Sequence, residues 1–171
     1  MGVEPSSEHY IEKQETETVS DEYTTMEFRK VFTPAGERLE IEAPEIDRSI
    51  RLDAMELESL SWQDQETFLS FLDTDLPGLL DDIPARKEFI RRQAEGTADD
   101  GTVTREVRVT NEFADAVVRS RETDACDRID IEAPKLGYQT SLTPTELQTT
   151  TWQTTEKFTE LLENPFGPGD H

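Results

Sequence analysis

The chain has 171 residues, with 39 Asp+Glu against 17 Lys+Arg, a net charge of −22 and only 33% apolar side chains. That length suits one domain or two small units sharing a core, and no stretch approaches the ~20 apolar residues of a membrane helix. The first 25 residues are acidic and lack a hydrophobic run, so no secretory signal is expected there, and the lone Cys126 fits a reducing, cytoplasmic setting without an internal disulfide.

Residues 1–24 carry many acids and few large apolar groups, and are expected to form a disordered acidic tail. From Met26 the pattern changes. Met26, Phe28, Lys30 and Phe32 alternate up to Thr33-Pro34-Ala35-Gly36, and Leu39, Ile41 and Ala43 resume the alternation, which predicts a β-hairpin. Pro44 ends the second strand because proline cannot donate a ladder hydrogen bond. A short strand with Ile50 and Leu52 follows. Asp53-Ala54-Met55-Glu56 then opens a helix in capping-box register. The polar break at Ser61-Trp62 splits it from a second helix bearing Phe68, Phe71 and Leu72. Residues 76–102 read as a helical linker and loop.

The second half repeats this grammar. Val107 and Val109 alternate, Phe113 to Val118 follow, and a longer connection through Thr123–Asp127 leads to Ile129 and Ile131. Tyr138–Leu142 gives a short strand, and Thr143-Pro144-Thr145-Glu146 opens a helix. The likeness is direct: residues 38–73 align without a gap on 128–163, and 13 of the 36 positions are identical, where chance gives roughly two or three. Upstream, Glu27-Phe28 is matched to Glu112-Phe113. The fold expected is α+β, with two homologous β-β-β-α(α) repeats over 25–75 and 103–164, helices on one side of the strands. They form one pseudo-twofold assembly, because so few residues bury little surface alone. Residues 165–171 are expected to fray.

Abundant acids, with only five lysines among the basic residues, resemble the cytosolic proteome of salt-accumulating haloarchaea. At about 1 M salt the Debye length is roughly 3 Å, which screens most of the repulsion such a charge creates. Enzyme signatures are thin. His9 and His171 lie in the expected tails, acids crowd Cys126 and disfavour its thiolate, and no zinc spacing or phosphate-cradling glycine loop occurs. No cofactor and no resident metal are expected.

Two constellations remain. Trp62-Gln63 and Trp152-Gln153 recur in both halves, as architectural plugs or as paired anchor points for a partner. Arg86, Lys87, Arg91 and Arg92 form a basic stretch between the halves, either neutralising acidic surface or touching phosphate. The function that follows is a non-enzymatic cytoplasmic protein-interaction or regulatory module, with a homodimer as one of its assemblies. The alternatives are a nucleic-acid-associated regulator acting through residues 86–92, and a carboxylate enzyme or ligand-binding domain using a divalent metal.

Overall fold

The alternation read at Met26, Phe28, Leu39, Ile41 and Leu52 turns one face of an antiparallel sheet inward, and each of these side chains is fully buried. A computed structural model describes residues 11–73, 78–94 and 101–162. The first sheet comprises β1 (Glu12–Lys13), β2 (Glu17–Ser20), β3 (Thr25–Thr33), β4 (Gly36–Ala43) and β5 (Arg48–Leu52). β1 and β2 both pair with β3, so together they form one interrupted edge strand. Helices α1 (Ala54–Ser61), α2 (Gln65–Phe71) and α3 (Ile83–Ala94) follow. The second sheet runs β6 (Thr102–Thr110), β7 (Asp115–Glu122), β8 (Asp127–Ala133) and β9 (Tyr138–Leu142), neighbours in chain order. Then come α4 (Pro144–Gln148), a 3-10 turn over Thr149–Trp152 and α5 (Thr155–Leu162). The architecture is α+β.

Three expectations need correction. Residues 12–13 and 17–20 are strands, not part of a tail: Val19 is buried opposite Met26, while Thr18 is exposed and Ser20 half-buried. The rest of that tail, residues 1–10, lies outside the described residues, as do 165–171 and most of the loop before Gly101. Each half therefore begins with a fourth, edge strand rather than three. The connection between β7 and β8, Thr123–Cys126, is longer than Pro34–Ala35 between β3 and β4, as expected, and both turns are closed by a threonine hydroxyl. Thr33 Oγ1 donates to the Gly36 carbonyl at 2.9 Å, and Thr123 Oγ1 donates to the Cys126 carbonyl at 2.6 Å.

The match of Glu27-Phe28 to Glu112-Phe113 is the third correction. In the sheets Phe28 sits opposite Ile41, and Val118 sits opposite Ile131, so the spacing of 90 residues holds upstream as well. The turn before β3 is built on Asp21, whose Oδ1 accepts the N–H groups of Tyr23 and Thr24. The turn before β7 is built on Asn111, which accepts from Phe113 and Ala114 in the same way. Phe113 is thus the counterpart of Tyr23, not of Phe28.

The helix starts follow the sequence closely. Asp53 and Glu56 form a reciprocal capping box for α1, and Thr143 and Glu146 form another for α4, each satisfying N–H groups the first helical turn leaves without partners. One hydrophobic core joins both sheets, from Phe28, Leu39 and Leu57 to Val118, Ile131 and Leu147. α1, which follows the first sheet, packs chiefly on β7, β8 and β9. α4 and its 3-10 turn reach back to β3, β4 and β5. Two crossing bonds are reciprocal: the Ser20 N–H donates to Asp127 Oδ2, and the Thr110 N–H donates to Glu37 Oε1, both at 2.9 Å. Adding 90 to each first-half residue gives its second-half counterpart.

The outer sheet faces are ionic lattices. Arg29 is buried among Glu27, Glu40 and Glu42, and Glu40 also receives Arg51 and Lys13. On the second sheet Arg119 bridges Glu106 and Glu132, and Arg121 pairs with Asp130. Arg29–Glu42 and Arg119–Glu132 occupy matching places at 3.1 and 3.0 Å.

Candidate functional site

The Trp-Gln pairs stand where each half's first helix ends. Gln63 Nε2 donates to the Ser59 carbonyl, and Gln153 Nε2 to the Thr149 carbonyl, each at 3.0 Å. Both amides thus satisfy carbonyls that a helix terminus leaves open. Both indoles are partly buried. Trp152 Nε1 donates to the Phe71 carbonyl at 3.1 Å, and its ring joins Leu69, Leu72 and Ile90. Trp62 differs. Its ring meets Tyr138 edge-on at 6.0 Å, and its buried Nε1 has no partner among the described residues.

The basic stretch does form a helix, α3, but its cations do not share a surface. Arg86 is buried; Nε donates to the Asp81 carbonyl at 2.9 Å and Nη1 to Gln148 Oε1 at 3.2 Å, with Asp81 Oδ1 at 3.4 Å. Lys87 is tied to Asp73 at 2.6 Å. Arg91 and Arg92 face solvent, and Arg92 lies 6.0 Å from the Phe89 ring. Arg86 points inward because it shares a helical stripe with Ile83, Phe89 and Ile90, the side that packs on the body of the protein.

That stripe builds a corner. The Tyr23 ring is met by the Arg86 guanidinium at 5.2 Å and by the Phe89 ring at 5.4 Å, edge-on. Gln148 of α4 completes it, since its Nε2 donates to Thr24 Oγ1 at 3.0 Å while its Oε1 accepts from Arg86. Beside them lies a cleft of about 390 Å³, lined by Tyr23, Glu45, Ile46, Leu80, Arg86 and Gln148. α3 continues past it to α2, where Gln65 Nε2 donates to the Ile90 carbonyl at 3.2 Å.

A second corner stands 90 residues on. At an offset of 90 residues Phe113 aligns with Tyr23, Leu136 with Ile46, Lys135 with Glu45, Glu58 with Gln148 and Trp62 with Trp152. Glu58 Oε2 of α1 accepts the Asp115 N–H at 3.0 Å, whereas at the first corner the Thr145 N–H of α4 donates to Asp21 Oδ2 at 2.8 Å. Burial raises the Glu58 pKa, opposed by the Asp115 N–H and by Lys135. Among the described residues no helix covers this corner as α3 covers the first. Phe113 is 74% and Leu136 50% exposed, the largest exposures among the large apolar side chains of the described residues.

The remaining chemistry is sparse. Burial pushes the Cys126 thiol up to about 11, which keeps it protonated and a poor nucleophile. Among the described residues no three His, Cys, Asp or Glu side chains gather in a metal-holding group, and no helix is long and apolar enough to cross a membrane. Tyr23, Phe113, Glu58 and Gln148 are not among the site residues expected from sequence. Their signal was present, since Tyr23 and Phe113 are both aromatic at the constant spacing, but the shifted upstream match concealed it. No protein-family model matches the chain, and no curated protein is similar to it.

Proposed function

We propose that the chain is a non-enzymatic interaction module of a salt-rich cytoplasm, made by doubling a four-stranded, two-helix unit. The halves form one pseudo-twofold body in which the first helical segment of each half packs across onto the other's sheet. The reciprocal bonds of Ser20 to Asp127 and Thr110 to Glu37 support this arrangement, since an isologous contact pairs i with j and j with i.

One observation carries the functional reading: two equivalent corners are unequally covered, and the bare one exposes Phe113 and Leu136. Large exposed apolar side chains on a protein of net charge −22 mark a contact site, because aromatic residues are enriched where partners bind. The phosphate-binding reading of residues 86–92 asks for four cations on one accessible face, and finds Arg86 turned inward and Lys87 paired.

Photo-crosslinking in cells tests the proposal. A photoreactive phenylalanine analogue at position 113 is expected to give a discrete adduct with another protein, and the same analogue at the solvent-facing Glu66 is expected to give none. Equal, diffuse labelling from both positions refutes the reading.

A further inference from the structure

We infer that the open corner around Phe113 is the seat of a helix from a partner protein, one carrying an arginine and, three residues later, an aromatic. The inference rests on the interaction reading above and names the chemistry of the partner. Its template is the covered corner. There α3 supplies Arg86 and Phe89, one turn apart on the same helical face, and the two close on the Tyr23 ring from 5.2 and 5.4 Å.

At the open corner the receiving groups are already in place. Phe113 provides the ring and Leu136 the apolar floor, and both are exposed. Glu58 occupies the position from which Gln148 accepts Arg86 Nη1. A carboxylate there is a better acceptor for an incoming guanidinium than an amide, because charge-assisted bonds are shorter and stronger than neutral ones. Glu58 is buried, and one of its oxygens accepts the Asp115 N–H. Its charge has the Lys135 ammonium as the attractive neighbour, with Asp115 repelling it.

Lys135 sets a second requirement. In the covered corner Glu45 lines the cleft beside Asp81, which lies five residues before Arg86. With lysine in the place of Glu45, an acid at the start of the partner helix meets an opposite charge. The partner surface is therefore acid, then arginine, then aromatic, along one face of a helix. Trp62 Nε1 is a buried donor without a protein acceptor among the described residues, whereas Trp152 Nε1, 90 residues on, donates to the Phe71 carbonyl of α2. The Trp62 indole thus lacks the acceptor that α2 gives Trp152.

The probe is a peptide of residues 78–94 of this chain, which contains the required acid, arginine and aromatic. It is titrated into the full-length protein and followed by amide chemical shifts. Shifts are expected at Phe113, Leu136 and the Trp62 indole. Phe113→Ser, at a position too exposed to hold the fold, is expected to weaken binding more than about tenfold. Glu58→Gln in the protein and R86Q in the peptide are expected to be coupled, the double change costing less than the two single losses combined.

Peptide binding indifferent to both Phe113→Ser and Glu58→Gln, or no binding at about millimolar peptide, overturns the inference. So does a contact from Phe166 to Phe113 in the free protein, which makes the chain's own segment the occupant. A dimer abolished by Phe113→Ser overturns it in favour of a second copy. Crosslinking at position 113 to a partner lacking such a helix leaves the interaction reading standing and removes this one.

Discussion

Replacing Glu40 by glutamine tests the ionic lattice on the first sheet. Glu40 is buried and receives Arg29, Arg51 and Lys13. Burial alone raises its pKa, but the bonds from Arg51, Lys13 and Arg29 prevail and hold it at about 2. A carboxylate that ionises near 2 in the fold and near 4.5 in the unfolded chain contributes about 3 kcal/mol at neutral pH. Lys13 and Arg51 are partly solvated, which screens their share and leaves about 2 kcal/mol. The sign is fixed by the depressed pKa: the contribution is complete above about 4.5 and disappears as pH falls through about 2. Denaturant unfolding in about 1 M KCl, where general charge repulsion is screened, measures it. Glu40→Gln is expected to cost about 2 kcal/mol at pH 7, and the gap from the parent is expected to shrink toward pH 3. A gap that stays constant with pH refutes the reasoning, because the loss would then be one of shape and not of charge.

Other consequences are sharper in direction than in size. Trp152→Phe deletes the bond to the Phe71 carbonyl and Trp62→Phe deletes none, so the first variant is expected to be less stable by about 1 kcal/mol in parallel melts. Thr143→Ala removes the buried N-cap of α4 and is expected to cost about 1–2 kcal/mol by denaturant unfolding. Leu57→Ala and Leu147→Ala hollow the core from opposite halves, and each is expected to cost about 3–5 kcal/mol. Cys126, with its thiol at about 11, is expected to react with iodoacetamide at pH 8 more than about a hundredfold more slowly than a free cysteine, read by mass spectrometry.

Local chemistry made much of the fold legible. Capping pairs at Asp53/Glu56 and Thr143/Glu146, the turn at Thr33–Gly36 and the split helices were all readable, because each is decided by neighbours within a few residues. β1 and β2 were not, since only Val19 is buried there and the strand forms because β3 offers an edge to pair with. The match of Glu27-Phe28 to Glu112-Phe113 was drawn by an identical dipeptide, although the sheet register equates Phe28 with Val118. Arg29 and Arg119, which pair with Glu42 and Glu132, also stand 90 residues apart. Arg86 was found as a charge but not as a buried one. Its acceptors on Gln148 and Asp81 come from tertiary packing, and no sequence spacing announces them.

The central claim is that the first helical segment of each half packs across onto the other half's sheet, α1 on β7–β9 and α4 with its 3-10 turn on β3–β5. Expressing residues 1–100 and 101–171 separately tests it most directly, by amide spectra of each piece alone and of the equimolar mixture. The account predicts collapsed, undispersed spectra for both pieces and recovery of the native spectrum on mixing. A piece that gives a dispersed, cooperatively melting spectrum by itself contradicts it.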